Sequence, residues 1–161
     1  MIRLLKSEDA DQILKIYQQG LDTGEASFET DAPDWADWDQ KYLKYCRLGW
    51  EVEGILQGWA TLAAVSTRHC YRGVCEVSIY VGTDWHGNGI GSSLMTRLIE
   101  ASEKEEIWTL YSSIFPENSA TRKLHISHGF REVGMRERIA QKDGHWRDTL
   151  ILERRSQRVG H

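Results

Sequence analysis

Residues 75–99 carry the feature that most restricts how this chain can fold. Cys75-Glu76-Val77-Ser78-Ile79-Tyr80-Val81 reads as a strand, passes through Gly82-Thr83-Asp84-Trp85 into His86-Gly87-Asn88-Gly89-Ile90-Gly91, and a helical pattern begins at Ser92 and runs through Leu94, Met95 and Leu98. A strand must therefore turn through glycines straight into a helix. Gly87, Gly89 and Gly91 remove side chains where backbone would approach an anion, and the helix behind them offers unpaired first-turn N–H groups and the positive end of its dipole. A phosphorylated cofactor is the expected ligand. A dinucleotide fingerprint would need glycine where Ser92 stands, and the Gly-Lys-Ser/Thr of a P-loop is absent.

Length and charge narrow the class. With 161 residues and 40% hydrophobic content, residues 1–161 suit one globular domain with its own core. Twenty basic residues against 24 acidic ones leave a net charge of −4, with no cationic excess for gripping nucleic acid or an anionic membrane. Met1 to Lys6 is too short and too soon charged for a secretion signal, and no apolar run approaches a membrane span, so a cytoplasmic protein is expected. Cys46, Cys70 and Cys75 are odd in number and lack CxxC spacing, which speaks against a disulfide framework or a cysteine-rich metal site.

Along the chain, residues 2–5 read as a first strand and Ser7 as the N-cap of a helix carrying Ala10, Ile13, Leu14, Tyr17 and Leu21. After the irregular stretch 22–33, Asp34 caps a second helix with an aromatic stripe, Trp35, Trp38, Tyr42 and Tyr45. Short strands flank Glu53-Gly54, and the second of them extends over 55–65; a loop covers 67–73 and the strand and glycine turn follow. The third helix reaches about residue 105, a strand covers 108–114, and a fourth helix runs from about 118 to 128, where Gly129 ends it. Residues 130–136 and 149–153 pair as closing strands with Asp143-Gly144 between them, and 154–161 reads as a frayed tail.

With the glycine turn at its central strand-to-helix junction, this order resembles the GCN5-related N-acetyltransferase superfamily, whose signature [Q/R]-x-x-G-x-[G/A] aligns with His86 to Gly91. His86 departs from the pattern at its first position. Within the superfamily the chain is similar to the phosphinothricin and methionine sulfoximine acetyltransferases, through Ala26-Ser27-Phe28-Glu29-Thr30, the strand 75–81, Asn118 through Leu124-His125 to Gly129-Phe130, and Gly144-His145-Trp146-Arg147-Asp148. The resemblance implies an α/β (α+β) fold, a mixed sheet of about six to seven strands splayed at its centre and flanked by about four helices. It implies acetyl-CoA as the cosubstrate, direct transfer of acetyl to the amino group of a small amino-acid-like acceptor, and a homodimer. A noncatalytic acetyl-CoA sensor and a polyamine or peptide N-acetyltransferase are the rival expectations.

The resemblance also assigns residues. Backbone of Ile79, Tyr80 and Val81 would pair with pantetheine, and the turn His86, Gly87, Asn88, Gly89, Ile90, Gly91 and Ser92 would hold the pyrophosphate, with Asn118 as a further cofactor-binding residue. Alternation puts Glu76, Ser78 and Tyr80 on one face and Cys75, Val77, Ile79 and Val81 on the other. A carboxylate in such a strand is either a general base with a raised pKa or a structural anchor. Asn118, Arg122 and His125 share a helical face, and His125 falls where the family carries a proton donor for the departing thiolate; packing alone is the other reading. Phe28, Glu29, Arg68 and Tyr71 match the family's acceptor-binding residues, Arg68 as a carboxylate clamp, with His145 and Trp146 completing a wall or a dimer contact. No metal is expected, since His125 and His128 lack a third ligand at suitable spacing.

Overall fold

A computed structural model describes all 161 residues. Its chain runs β1 (Ile2–Leu4), α1 (Ala10–Asp22), α2 (Trp35–Lys41), β2 (Leu48–Val52), β3 (Ile55–Ala64), β4 (Val74–Val81), α3 (Ile90–Lys104), β5 (Thr109–Ile114), α4 (Ser119–Ser127), β6 (Arg131–Lys142) and β7 (His145–Arg155). The seven strands form one open sheet in the order β1-β2-β3-β4-β5-β7-β6. Neighbours are antiparallel except β4 and β5.

Period-2 alternation divides the core between the two faces of the sheet. Leu94, Met95 and Leu98 of α3 pack on Ala60, Leu62, Cys75, Val77 and Leu110. The opposite face is aromatic: Ile13, Ile16, Tyr17 and Leu21 of α1 and Trp38 of α2 close over Trp59. Fully buried, the Trp59 indole donates Nε1–H to the Ile13 carbonyl at 3.1 Å, stacks on Tyr80 and meets Tyr17 and Trp38 edge-on. Tyr80 thus belongs to the α1 side, and Cys75 to the α3 side, as alternation requires.

Beyond its first three pairs, the parallel ladder fails. Val74, Cys75 and Glu76 align with Thr109, Leu110 and Tyr111; after Glu76 the two strands part, β5 continuing its pairing with β7 while residues 77–81 keep only β3. A V-shaped gap opens there, and Glu76 stands at its apex.

Four local expectations are corrected. Ser7 is not a cap: Ser7–Asp9 form a 3-10 turn, and the Asp9 carboxylate accepts from the Lys6 backbone N–H at 2.7 Å and from the Arg3 guanidinium at 2.8 Å through both oxygens. The second helix stops at Lys41, so Trp38 and Tyr42 are buried while Tyr45 lies outside the helix and is exposed. The closing strands are 12 and 11 residues long rather than short, because Asp143 (φ 51°) and Gly144 (φ 77°) make a two-residue left-handed turn that carries the ladder up to Lys142 and His145. Nor is the tail frayed: Ser156 Oγ donates to the buried Glu103 carboxylate at 2.9 Å, and Arg155 donates to the carbonyls of Val159 and Gly160.

Candidate active site

The gap between β4 and β5 widens into a cleft of about 1000 Å³ with mixed polar and apolar walls. At one end lies the glycine turn. Gly87 (φ 79°) and Gly89 (φ 75°) both take the left-handed conformation, and a Cβ at either would point into open space. Gly89 is the N-cap of α3, whose first N–H groups face outward; the next bond, Ser93 N–H to the Gly89 carbonyl at 3.0 Å, already belongs to the helix. Asn88 lies off the cleft wall and braces the turn, donating Nδ2–H to the carbonyls of Trp85 and His86 at 3.2 Å. The His86 ring folds back, its Nε2–H donating to the Val81 carbonyl at 2.9 Å. Of the other expected cofactor residues, Ile79, Tyr80, Val81, Ile90, Gly91, Ser92 and Asn118 all line the cleft.

Glu76 and His125 both line the cleft. Glu76 makes no hydrogen bond or ion pair; burial raises its pKa above the ordinary carboxylate value, and the charge of Lys41 works against that rise. His125 is 4% exposed, its ring edge-on to Phe130 at 4.8 Å. Its Nδ1–H donates to the Thr121 carbonyl at 2.7 Å, which fixes the tautomer and leaves Nε2 a buried lone pair with no partner. Burial lowers its pKa below the ordinary histidine value, opposed by the Thr121 bond. The imidazole is therefore mostly neutral near pH 7, with Nε2 enclosed beside the cleft.

At the other end the irregular stretch 22–33 crosses the opening. Phe28 meets Phe115 edge-on at 4.9 Å, and the Arg147 guanidinium lies 4.0 Å over the Phe115 ring while reaching the carboxylates of Glu117 (3.3 Å) and Glu25 (3.6 Å). Asn118, whose Oδ1 caps α4 at Thr121, donates Nδ2–H to the Glu25 carbonyl. Glu29 turns its carboxylate to the Tyr17 hydroxyl at 2.8 Å and sits just behind the lining. The stretch is pinned from the hairpin by Lys142, a buried ammonium that donates to the carbonyls of Ser27 (2.7 Å) and Glu29 (3.2 Å).

Arg68 and Tyr71 are not brought into this cleft. Both are exposed on the turn before β4, with the guanidinium 5.3 Å over the tyrosine ring. His145 and Trp146 likewise lie on the exposed hairpin and do not form the wall; Phe115 and Thr149 do, with Arg147 laid over Phe115. Lys41, Arg147 and Lys142 had no local signal as site residues, because each stands among charged neighbours that read as solvated surface. Arg147 alone lay within a stretch that carries the family resemblance. No group of three or more His, Cys, Asp or Glu side chains could hold a metal ion, and no helix is long and apolar enough to cross a membrane.

Comparison with known proteins gives a consistent answer. The family described as "Acetyltransferase (GNAT) domain" matches residues 2–151. A phosphinothricin N-acetyltransferase of Alcaligenes faecalis is 30% identical over 95% of this chain and 81% of its own length. An L-methionine sulfoximine/L-methionine sulfone acetyltransferase of Pseudomonas aeruginosa is 26% identical over 90% of this chain and 88% of its own. Among solved structures, a ribosomal-protein-alanine N-acetyltransferase of Brucella melitensis superposes with a TM-score of 0.88 at 27% identity, covering 97% of this chain and 99% of that one. A phosphinothricin acetyltransferase of Sinorhizobium meliloti, solved in complex with acetyl-CoA, shares the fold at a TM-score of 0.87 and 24% identity, over 96% of this chain and 87% of that one.

Proposed function

Because the chain belongs to the GNAT acetyltransferase family, we propose that it moves acetyl from acetyl-CoA directly to the amino group of a small amino-acid-like acceptor, of the phosphinothricin or methionine sulfoximine type. The observation that carries this reading is Glu76, an unpaired carboxylate at the apex of the β4–β5 gap, between a glycine turn open to phosphate and a walled acceptor end. Acetyl-CoA supplies the activated acyl group and a thiolate leaving group.

The chain's own groups do the rest. Backbone of Ile79 to Val81, which has no β5 partner along the gap, pairs with the amides of the pantetheine arm through the gap-facing groups of Ile79 and Val81, the His86 ring giving up the Val81 carbonyl that it occupies, and N–H groups from Gly87 to Ser92 neutralise the pyrophosphate. Glu76 takes a proton from the acceptor's ammonium, directly or through water; a raised pKa makes it a better base for that task than an ordinary carboxylate. His125, neutral with Nε2 as acceptor, orients a water that takes the second proton shed by the attacking nitrogen as the amide forms and passes one on to the thiolate as the C–S bond breaks. Phe28 and Phe115 form the apolar wall for the acceptor side chain, and Glu29 holds the stretch that carries Phe28. No acyl-enzyme is involved. Cys75 is 1% exposed in the α3-side core and burial pushes its thiol up to about 11, which supports direct transfer.

A second copy of the chain is the proposed partner. Edge strand β6 leaves Val133, Met135 and Ile139 exposed, and Trp146 beside them is 58% exposed, an apolar patch suited to isologous pairing. Sedimentation of wild type against Trp146→Glu tests it: a dimer that the charge splits supports pairing, and a monomeric wild type refutes it.

Thiol release from acetyl-CoA across methionine sulfoximine, phosphinothricin, common L-amino acids, a polyamine and a peptide tests the main reading. Turnover confined to the small amino acids is expected. Preference for the polyamine or peptide moves the acceptor class, and acetyl-CoA binding without turnover makes the chain a sensor.

A further inference from the structure

Lys41 is the last residue of α2 and lines the acceptor end of the cleft. Its ammonium is held only by a long, exposed ion pair. The nearest carboxylate oxygen, on Glu29, is 3.9 Å away, and that carboxylate is already bonded to Tyr17. Its side chain lies along the Tyr42 ring, with Nζ 5.2 Å from the centroid, and remains 46% exposed. The other cations nearby are spent: Arg147 is held by Glu117 and Glu25, and Lys142 by two backbone carbonyls. Lys123 also lines the cleft but is carried by α4, on the β5 side of the gap, and Arg68 stands outside it.

A loosely held cation whose charge reaches a general base is chemically costly, since it holds the base's pKa down and weakens it. The cost is understandable if the cation meets a charge that arrives with the substrate. Glu76 and Lys41 together present a minus and a plus to the cleft, the complement of a zwitterion whose ammonium and carboxylate lie one carbon apart. Resting on the proposed function above, we propose that Lys41 binds the acceptor's carboxylate, restricting the enzyme to amines that carry a carboxylate beside the amino group and turning that amine toward Glu76.

The test compares L-methionine sulfoximine with its methyl ester in wild type, Lys41→Met, Lys41→Arg and Arg68→Ala. Loss of a charge-assisted contact should cut kcat/KM for the free acid roughly ten- to a hundredfold in Lys41→Met, leave the ester within about threefold, and be partly restored in Lys41→Arg. Because any effect of Lys41 on Glu76 strikes acid and ester alike, the acid-to-ester ratio isolates the carboxylate contact. An unchanged ratio in Lys41→Met overturns the proposal, and a ratio that collapses in Arg68→Ala instead transfers the contact to that residue. A wild type that acetylates neither compound overturns the proposed function as well, whereas one that acetylates both while Lys41→Met keeps the ratio overturns Lys41 alone.

Discussion

Replacing Glu76 by glutamine should cripple the enzyme and stabilise the protein, and the two effects have one cause. Glutamine keeps the shape and volume at the apex of the gap but can neither accept the acceptor's proton nor carry charge. General-base assistance is worth about a hundred- to ten-thousand-fold, so kcat should fall by that factor, about 3–5 kcal/mol of barrier, with the acetyl-CoA KM nearly unchanged. The stability sign follows from the raised folded-state pKa, whose chief cause is burial and which Lys41 opposes. Between the unfolded value near 4.5 and the higher native value, the native carboxyl holds a proton that the unfolded chain has lost. Wild-type stability therefore falls relative to Glu76→Gln as pH rises through that window, with a limiting slope of about 1.4 kcal/mol per pH unit, and the difference levels off above it. Urea melts of both proteins from pH 4 to 8, followed by tryptophan fluorescence, give the difference curve. Near-wild-type kcat, or a stability difference that does not grow from pH 4 upward, would refute the reasoning.

Other variants probe the rest of the cleft. Gly89→Val puts a β-branched side chain at a left-handed position facing open space; it should cost on the order of 1–2 kcal/mol in stability and raise the acetyl-CoA KM at least about tenfold while the acceptor KM holds, as steady-state kinetics on the folded variant will show. Cys75→Ala should keep kcat within about twofold at a modest stability cost, and an acetyl group found on Cys75 by mass spectrometry that acceptor amine discharges would contradict direct transfer. His125→Ala should lower kcat by about a hundredfold or more. Because burial depresses the native His125 pKa, wild-type stability should also drop as pH falls below about 6.5, a loss that His125→Ala lacks and that pH-resolved melts will detect.

The strand, the glycine turn and the helix behind it were legible because their signals are local: period-2 alternation, glycines at left-handed positions, helical spacing. Glu76 and His125 were conspicuous for their chemistry within otherwise regular elements, and both line the cleft. What stayed hidden depends on contacts distant in sequence. The aromatic stripe suggested that the second helix continues to Tyr45, but Arg47 donates to the carbonyls of Asp39, Tyr42 and Leu43 and lies over Trp38, so the chain leaves the helix at Tyr42. Strand β6 is an edge strand with exposed side chains along almost its whole length, so no buried alternation announced its extension past residue 136 to Lys142. The tail is held by Glu103, 53 residues before Ser156. Lys142 and Lys41 became site residues only once the hairpin and α2 were folded against the stretch 22–33.

The central claim is that one cleft binds acetyl-CoA and an amino-acid acceptor together and passes the acetyl group between them in a single step. A matrix of initial rates, varying acetyl-CoA against L-methionine sulfoximine, tests this most directly. The arrangement of the glycine turn, Glu76 and the walled acceptor end predicts double-reciprocal lines that intersect, the signature of a ternary complex. Parallel lines would require an acetyl-enzyme, and an absence of turnover at every concentration would deny the acceptor site its assignment.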